Sequence, residues 1–447
     1  MQENREFIKK ALILAFPVMI QQLLNNLLNM TDTVMIGKIG ENAISGVAVA
    51  NKVFFIYQLI LFGLSNGFGI FISQFGGSQK QDKLTDIFNE GIRCCLVVAL
   101  LALAVCGGFQ DSILRLYLKN GEVFTLAKQY LSVLLISFVP FAVTNMYSVC
   151  FRSLELPRCT LTAGTVSFAC NIIGNYVLIF GKLGLPALGV TGAAISTVTS
   201  RFIELAVLWF LGRKHLHGIR PRLRVSLAPG FRAMILKRAL PLMTNELIWS
   251  IGLNVVFISY SFAGESFIPA VTVVDSISNL VYVVFSGCSV AISAIIGKTL
   301  GSGDMERAKR EVRAIMKLVM AIYLAGGAIL IATSTFTPRL FSLSEQNLHM
   351  ATRLLIIKAL LAWTQGYSNT VYYVLRAGGD TKSVLIIDGM FTWFGPVLFS
   401  VIGARLLRLD ISLTYLLVEG AGLLKVCLAT RFLKKENWIR NLTLQEG

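Results

Sequence analysis

Asp32 closes a polar run, Asn25-Asn26-Leu27-Leu28-Asn29-Met30-Thr31-Asp32-Thr33, inside an otherwise apolar segment. Asn25, Asn29 and Asp32 are spaced by four and then three residues, so a helix presents them on one face. That face is a stripe of carbonyl oxygens ending in a carboxylate. It suits a proton or a sodium ion, since hard cations take oxygen ligands. Asn171 and Asn175 form a second pair, four apart, in a later apolar segment. Glu246 follows Asn245 and precedes Trp249 in a third. Asp275, Asp388, Glu204 and Glu419 are further acids embedded in apolar runs, and Lys52, Arg201, Lys317 and Lys425 are embedded bases. A charged side chain at the centre of a membrane helix costs about 2.5–3.5 kcal/mol on insertion scales, so each is a functional candidate by default. Asp32 and Glu246 lead, because neither has a basic residue within four positions. Arg201 and Glu204, three apart, can neutralise each other. Asp275 suits a structural hydrogen bond as well as an ion.

These residues need a membrane to position them. The chain has 447 residues, of which 55% are hydrophobic and 15% charged, with a mean hydropathy of +0.69. Soluble chains carry about 25% charged residues, and an apolar surplus this large requires lipid as solvent. Windows of about 20 apolar residues, enough to cross hydrocarbon, occur at roughly 11–36, 43–75, 92–110, 124–150, 159–181, 188–211, 239–262, 268–296, 314–336, 354–375, 383–404 and 411–430. The expected fold is therefore an all-α polytopic membrane protein of twelve spans without an extramembrane domain. The first window lacks a cleavage site and reads as a retained helix. The net charge of +17 is a topology signal: 27 of the 41 lysines and arginines fall at the termini and even-numbered loops, eight of them between Arg213 and Arg238. That distribution places both termini in the cytoplasm and allows contact with anionic lipid. It gives no reason to expect nucleic acid as a partner. Eight cysteines without C-x-x-C clusters and three histidines exclude a zinc site and a disulfide framework.

The halves align without gaps at an offset of 224. Ala15, Pro17, Met19 and Leu23 match Ala239, Pro241, Met243 and Leu247. Gly77-Ser78 matches Gly301-Ser302, Asn145 and Arg152 match Asn369 and Arg376, and Arg201 aligns with Lys425. Six spans per half return the chain to its starting side, so the repeats run parallel, an arrangement found in secondary transporters. The expected domains are an amino-terminal bundle at 1–212, a basic linker at 213–238, and a carboxyl-terminal bundle with its tail at 239–447. Pro17 and Pro241 each free a backbone carbonyl and are candidate hinges.

Three motif matches fail on context. Gly63-Leu64-Ser65-Asn66-Gly67 fits the hydrolase elbow but lies within a helical run. Gly297-Lys298-Thr299 lacks the earlier glycine of a phosphate loop, whose place Ile292 takes. Asn441-Leu442-Thr443 is a glycosylation sequon on the side read as cytoplasmic. No enzymatic chemistry and no cofactor are expected.

The chain resembles the multidrug and toxic compound extrusion (MATE) family over nearly its whole length. The residues that carry the resemblance are Asp32-Thr33 with Gly37, Phe151-Arg152, Gly189-Val190-Thr191-Gly192-Ala193-Ala194, and Leu375-Arg376-Ala377-Gly378-Gly379-Asp380. The resemblance implies a V-shaped bundle of two six-helix repeats. It also implies an antiporter that exports amphipathic, often cationic compounds in exchange for protons or sodium. It assigns cation coupling to Asp32 with Asn29, Asn171 and Asn175. It assigns substrate and cavity roles to Glu246, Asn25, Asp388 and Gln365, the last standing where some relatives carry an acid. The implied partners are a small-molecule substrate and membrane lipid, around a monomer in a bacterial inner membrane. A flippase for lipid-linked substrates, of the same wider superfamily, is the alternative.

Overall fold

The computed structural model describes residues 2–78, 81–118, 121–216, 219, 227–341 and 343–444. Within these it leaves out the side chains of 2–7, 29, 30, 41, 81, 265, 280–282 and 284–286. The described residues are helices joined by short turns, with no strand among them. In a bilayer this follows from the backbone: no water is available for unpaired N–H and C=O groups, and a helix satisfies them within one segment. Ten segments are long and apolar enough to cross a membrane. The helices are α1 (Gln2–Gly37), α2 (Glu41–Gly77), α3 (Gln81–Gly108), the short α4 (Gln110–Arg115), α5 (Glu122–Leu134), α6 (Phe138–Ser153), α7 (Pro157–Phe180) and α8 (Gly189–His215). The second half continues with α9 (Pro229–Gly264), α10 (Ile268–Gly301), α11 (Met305–Thr333), α12 (Glu345–Ala377), α13 (Thr381–Leu385), α14 (Leu398–Val401) and α15 (Ile411–Lys434). Helices α10 and α12, of 34 and 33 residues, take the places of the expected eighth and tenth spans.

The repeat survives in the element boundaries. Helices α2 and α10 end at Gly77 and Gly301, and α3 and α11 begin at Gln81 and Met305. Helices α6 and α12 end at Ser153 and Ala377, and α7 and α13 begin at Pro157 and Thr381. Each pair is 224 apart. Several helices start well before their apolar windows: α3 at Gln81 rather than 92, α11 at Met305 rather than 314. Charged residues such as Arg, Lys and Glu are good helix formers, and Asp304 caps α11 by accepting from the Arg307 N–H at 3.0 Å. Hydropathy reports the apolar slab, not the helix end.

By packing, the chain divides into a C-terminal unit, Met1–Met19 with Leu236–Gly447, and an N-terminal unit, Ile20–Ile235. The division thus falls inside α1 and α9. Local contacts explain both exchanges. A Cβ on Gly287 would collide with the Ala15 carbonyl, so α1 lies tight on α10 there. Phe231, at the start of α9, meets Phe71 and Phe75 edge-on at 5.9 and 5.7 Å, and Arg232 donates to Glu90 at 3.2 Å. Residues 217, 218 and 220–226 of the expected linker lie outside the described residues. Pro17 and Pro241 sit inside unbroken helices, each leaving one carbonyl without its helical N–H partner.

Two turns require their glycines. Gly181 ends α7 in the left-handed region, φ 66°, where its missing Cβ leaves room for Ala187. A Cβ on Gly378 would overlap the Trp438 carbonyl oxygen, so the tail after α15 packs on this turn, with Trp438 and Leu442 buried. Asp380 then caps α13, accepting from the Ser383 hydroxyl at 2.7 Å.

Candidate cation site and cavity

Helices α7 and α8 approach closely because two positions carry no side chain. A Cβ on Gly174 would press on Ser196, and one on Gly192 on the Leu178 carbonyl, each at 2.5 Å. This contact lays Asn171 and Asn175 of α7 against Ser196, Thr197 and Ser200 of α8. The Asn171 amide reaches the Thr197 and Ser200 hydroxyls at 3.4 and 3.5 Å, and Ser196 donates to the Asn171 carbonyl at 2.8 Å. The Asn175 Nδ2 donates twice, to Asn171 Oδ1 at 3.0 Å and to Asp32 Oδ1 at 2.6 Å. The three residues expected from α1 and α7 therefore meet. Asn171 and Asn175 are each 1% exposed. The Asn175 Oδ1 is buried with no hydrogen-bond partner among the described residues. A carboxylate held by the Asn175 amide, beside an unused carbonyl oxygen, is an oxygen-rich set that suits a proton or a small hard cation.

This site opens on a cavity of about 630 Å³ within the N-terminal unit. Its wall is rich in carboxamides: Gln21, Asn25, Asn51, Gln58 and Asn145 line it with Asp32 and Asn171. Four ionisable side chains share it, since Arg152, Arg201 and Glu204 also reach the wall. Arg201 is paired with Glu204 at 2.9 Å and stacks over Phe141 at 5.2 Å. It acts on Asp32 only at longer electrostatic range. The mutual neutralisation of Arg201 and Glu204 expected from their spacing is thus present. Ser65 of the rejected hydrolase match is buried in α2, donates to the Leu61 carbonyl and accepts from Asn145 at 2.9 Å, so it is a packing hydroxyl.

The residues expected at a substrate cavity divide between the units. Asn25 lies on the N-terminal cavity with the coupling residues. Glu246, Gln365 and Asp388 belong to the C-terminal unit. Asn29 is helical, but its side chain lies outside the described residues. Asp388 is not an open carboxylate. It pairs with Lys425 at 2.7 Å and accepts from the Asn245 amide at 3.1 Å. It also sits in a π-helical turn, Ile386–Met390, one of three that widen this span with Trp393–Val397 and Ile402–Leu406. A π turn exposes backbone groups, and the Gly389 N–H is taken by Asn245 Oδ1 at 2.7 Å. Glu246 accepts from the Tyr372 hydroxyl at 3.4 Å and lies within electrostatic range of Arg376. Gln365 is half-buried on α12, seven residues from Tyr372 and on the same face.

Lys358 is the base that the sequence reading missed. It lies near one end of an apolar window, and only the fold shows its partner, Glu419 of α15, at 2.6 Å. Lys52 and Lys317 are both exposed. Among the described residues no cluster of histidine, cysteine or acid could hold a metal.

The family model described as MatE matches residues 17–177 and 241–398, one block in each half. A probable multidrug resistance protein NorM of Thermotoga maritima is 25% identical over 404 residues, covering 89% of this chain and 86% of that protein. A NorM of Halalkalibacterium halodurans is 24% identical over 394 residues, covering 86% and 85%. Among solved structures, an outward-facing multidrug resistance MATE family transporter superposes with a TM-score of 0.87 at 19% identity, covering 96% of this chain and 95% of that one. A MOP superfamily transporter from Pyrococcus furiosus, described as having a binding pocket of reversed polarity, gives 0.86 at 20%, with the same coverage.

Proposed function

Because the chain belongs to the MatE family of membrane transporters, and is not an enzyme, we propose that it is a secondary antiporter that exports amphipathic, cationic drugs or metabolites in exchange for protons or sodium ions. The observation that carries this reading is Asp32, held by Asn175 at 2.6 Å on the wall of a polar cavity. A carboxylate that accepts from one amide and has no bonded base among the described residues can bind a cation. It can then release that cation to a substrate that competes for the same charge. The names of the NorM relatives point to multidrug export as the task. Exchange requires that cation and substrate bind the two access states differently, and Pro17, in the helix that carries Asp32, is the hinge we assign to that change. Pro241 has the corresponding role in α9.

The coupling ion is the transporter's second substrate, and no resident cofactor is proposed. The distribution of Lys and Arg supports cytoplasmic termini, and the proposed setting is a monomer surrounded by lipid in a bacterial inner membrane. A flippase for anionic lipid-linked substrates would want a cationic cavity. Here Arg152 and Arg201 share the wall with Asp32 and Glu204, so the charges balance and the antiporter is favoured. The test is efflux of a cationic dye from proteoliposomes under separately imposed proton and sodium gradients. Asp32→Asn should abolish gradient-driven efflux while leaving the protein folded. Undiminished efflux by that variant would sink the role given to Asp32.

A further inference from the structure

We propose that the cavity of the N-terminal unit binds a polyhydroxylated organic cation, an amine that carries a sugar-like chain and an aromatic tail. The carboxamides on its wall are of two kinds. Asn145 and Asn171 are spent on the protein: Asn145 donates to Ser65 at 2.9 Å, and Asn171 bonds Thr197 and Asn175 at 3.4 and 3.0 Å. Gln22, Asn25 and Asn26 of α1 line the same cavity, with Asn51 and Gln58 of α2. The amides of these five make no hydrogen bond among the described residues. All are exposed except Gln58, which is half-buried. Each amide has two N–H donors and a carbonyl acceptor, so the wall holds a grid of neutral hydrogen-bonding groups that the fold leaves for a guest.

The spacing of the grid selects the guest. Gln22 stands three residues from Asn25 and four from Asn26, and helical neighbours at these spacings have Cβ atoms about 5–6 Å apart. Asn51 and Gln58 are seven apart, two turns along one face of α2. A polyol carries a donor and an acceptor on every carbon, so a short chain meets several of these amides at once. A peptide offers one N–H and one C=O per residue and meets fewer. An apolar body meets none: it strips water from the amides and returns no bond. A wall of hydrogen-bonding groups therefore rejects an analogue that lacks the matching hydroxyls.

The charge of the guest follows from the acids on the wall. Glu204 is paired with Arg201 at 2.9 Å, whereas Asp32 accepts from an amide. Asp32 is therefore the acid open to an ammonium. It lies seven residues beyond Asn25 on the same face of α1, so the amides run back from it along the helix. The tail follows from the aromatic part of the wall. Phe55 stands between Asn51 and Gln58 in sequence, lines the cavity and is 49% exposed, so it offers an unused apolar face beside the amides. The volume of about 630 Å³ lies within the roughly 300–1,000 Å³ of small-molecule sites.

Export of such a cation rests on the antiporter reading, but its binding does not, and the test reads binding without a gradient. The probes are N-benzyl-N-methylglucamine and N-benzyl-N-methylhexylamine. They share the ammonium, the aromatic tail and the carbon skeleton, and differ only in the hydroxyls. Each is titrated calorimetrically into the purified full chain in detergent at neutral pH, and a titration into protein-free micelles is subtracted. The glucamine should bind about tenfold more tightly, the gain from one or two net hydrogen bonds. Asn25→Leu, Asn51→Leu and Gln58→Leu combined should erase this preference by weakening the glucamine, with the affinity for the hexylamine not reduced. Equal affinities in the unaltered chain, or no binding of the glucamine, would overturn the proposal even if the triple variant failed to fold. A folded triple variant that kept the preference would overturn it as well. Failure of gradient-driven dye efflux in the unaltered chain would instead remove the antiporter reading and leave the binding result standing.

Discussion

The two halves began as one sequence, yet each treats its embedded base differently. Arg201 and Lys425 are aligned by the repeat. Arg201 turns to Glu204 on its own helix, at 2.9 Å, and leaves Asp32 with the Asn175 amide. Lys425 reaches across to Asp388 on another span, at 2.7 Å, and fills the place that a cation would take. The spans carrying the partners differ too. Helix α7 is a regular helix of 24 residues, whereas its counterpart is opened by three π turns. The two aligned bases thus end in different places: one pairs within its own helix, and the other neutralises an acid of another span.

The largest effect should come from exchanging the two acids' fates. Asp32→Asn removes the carboxylate that Asn175 holds, and coupled efflux in proteoliposomes should fall to background. Asp388→Asn combined with Lys425→Met removes a neutral pair, and efflux should persist. Loss of efflux in both would break the contrast between a working and a closed site. Next in size is Lys425→Met alone. It strands Asp388 in a largely buried position, and breaking such a pair costs about 3–5 kcal/mol. Thermal unfolding in detergent should show a clear destabilisation that adding Asp388→Asn reverses. Asn245→Ala should cost about 1–3 kcal/mol, the penalty for orphaning a buried donor, because the Gly389 N–H and Asp388 both lose a bond. The same unfolding measurement decides it. The smallest effect is Asn175→Asp, which adds a second carboxylate beside Asp32. It should lower the sodium concentration for half-maximal efflux by up to about tenfold, a change of about 1.4 kcal/mol in binding. An unchanged sodium dependence would mean that Asn175 does not contact the ion.

Much of this contrast could be read from spacing. Asn25, Asn29 and Asp32 follow a helical period, Asn171 and Asn175 do likewise, and the structure joins Asp32, Asn171 and Asn175 through hydrogen bonds. Arg201 and Glu204 lie within one turn, so their pairing needed only local geometry. The pairs Lys425–Asp388 and Lys358–Glu419 span 37 and 61 residues. Local spacing says nothing about such pairs, and for that reason Asp388 looked open and Lys358 escaped notice.

What the sequence by itself determined is the solvent and the plan. An apolar fraction of 55% demands lipid, lipid demands helices, and identical residues at a constant offset of 224 demand two like halves. Those properties depend on composition and period, which a linear chain displays. What only the tertiary structure decided is which acid keeps its charge free. That depends on which helices touch. The missing side chains of Gly174 and Gly192 draw α7 to α8, and the π turns around Asp388 set it facing α15. In a medium of low dielectric such contacts determine whether a carboxylate is neutralised by a lysine or left for an ion.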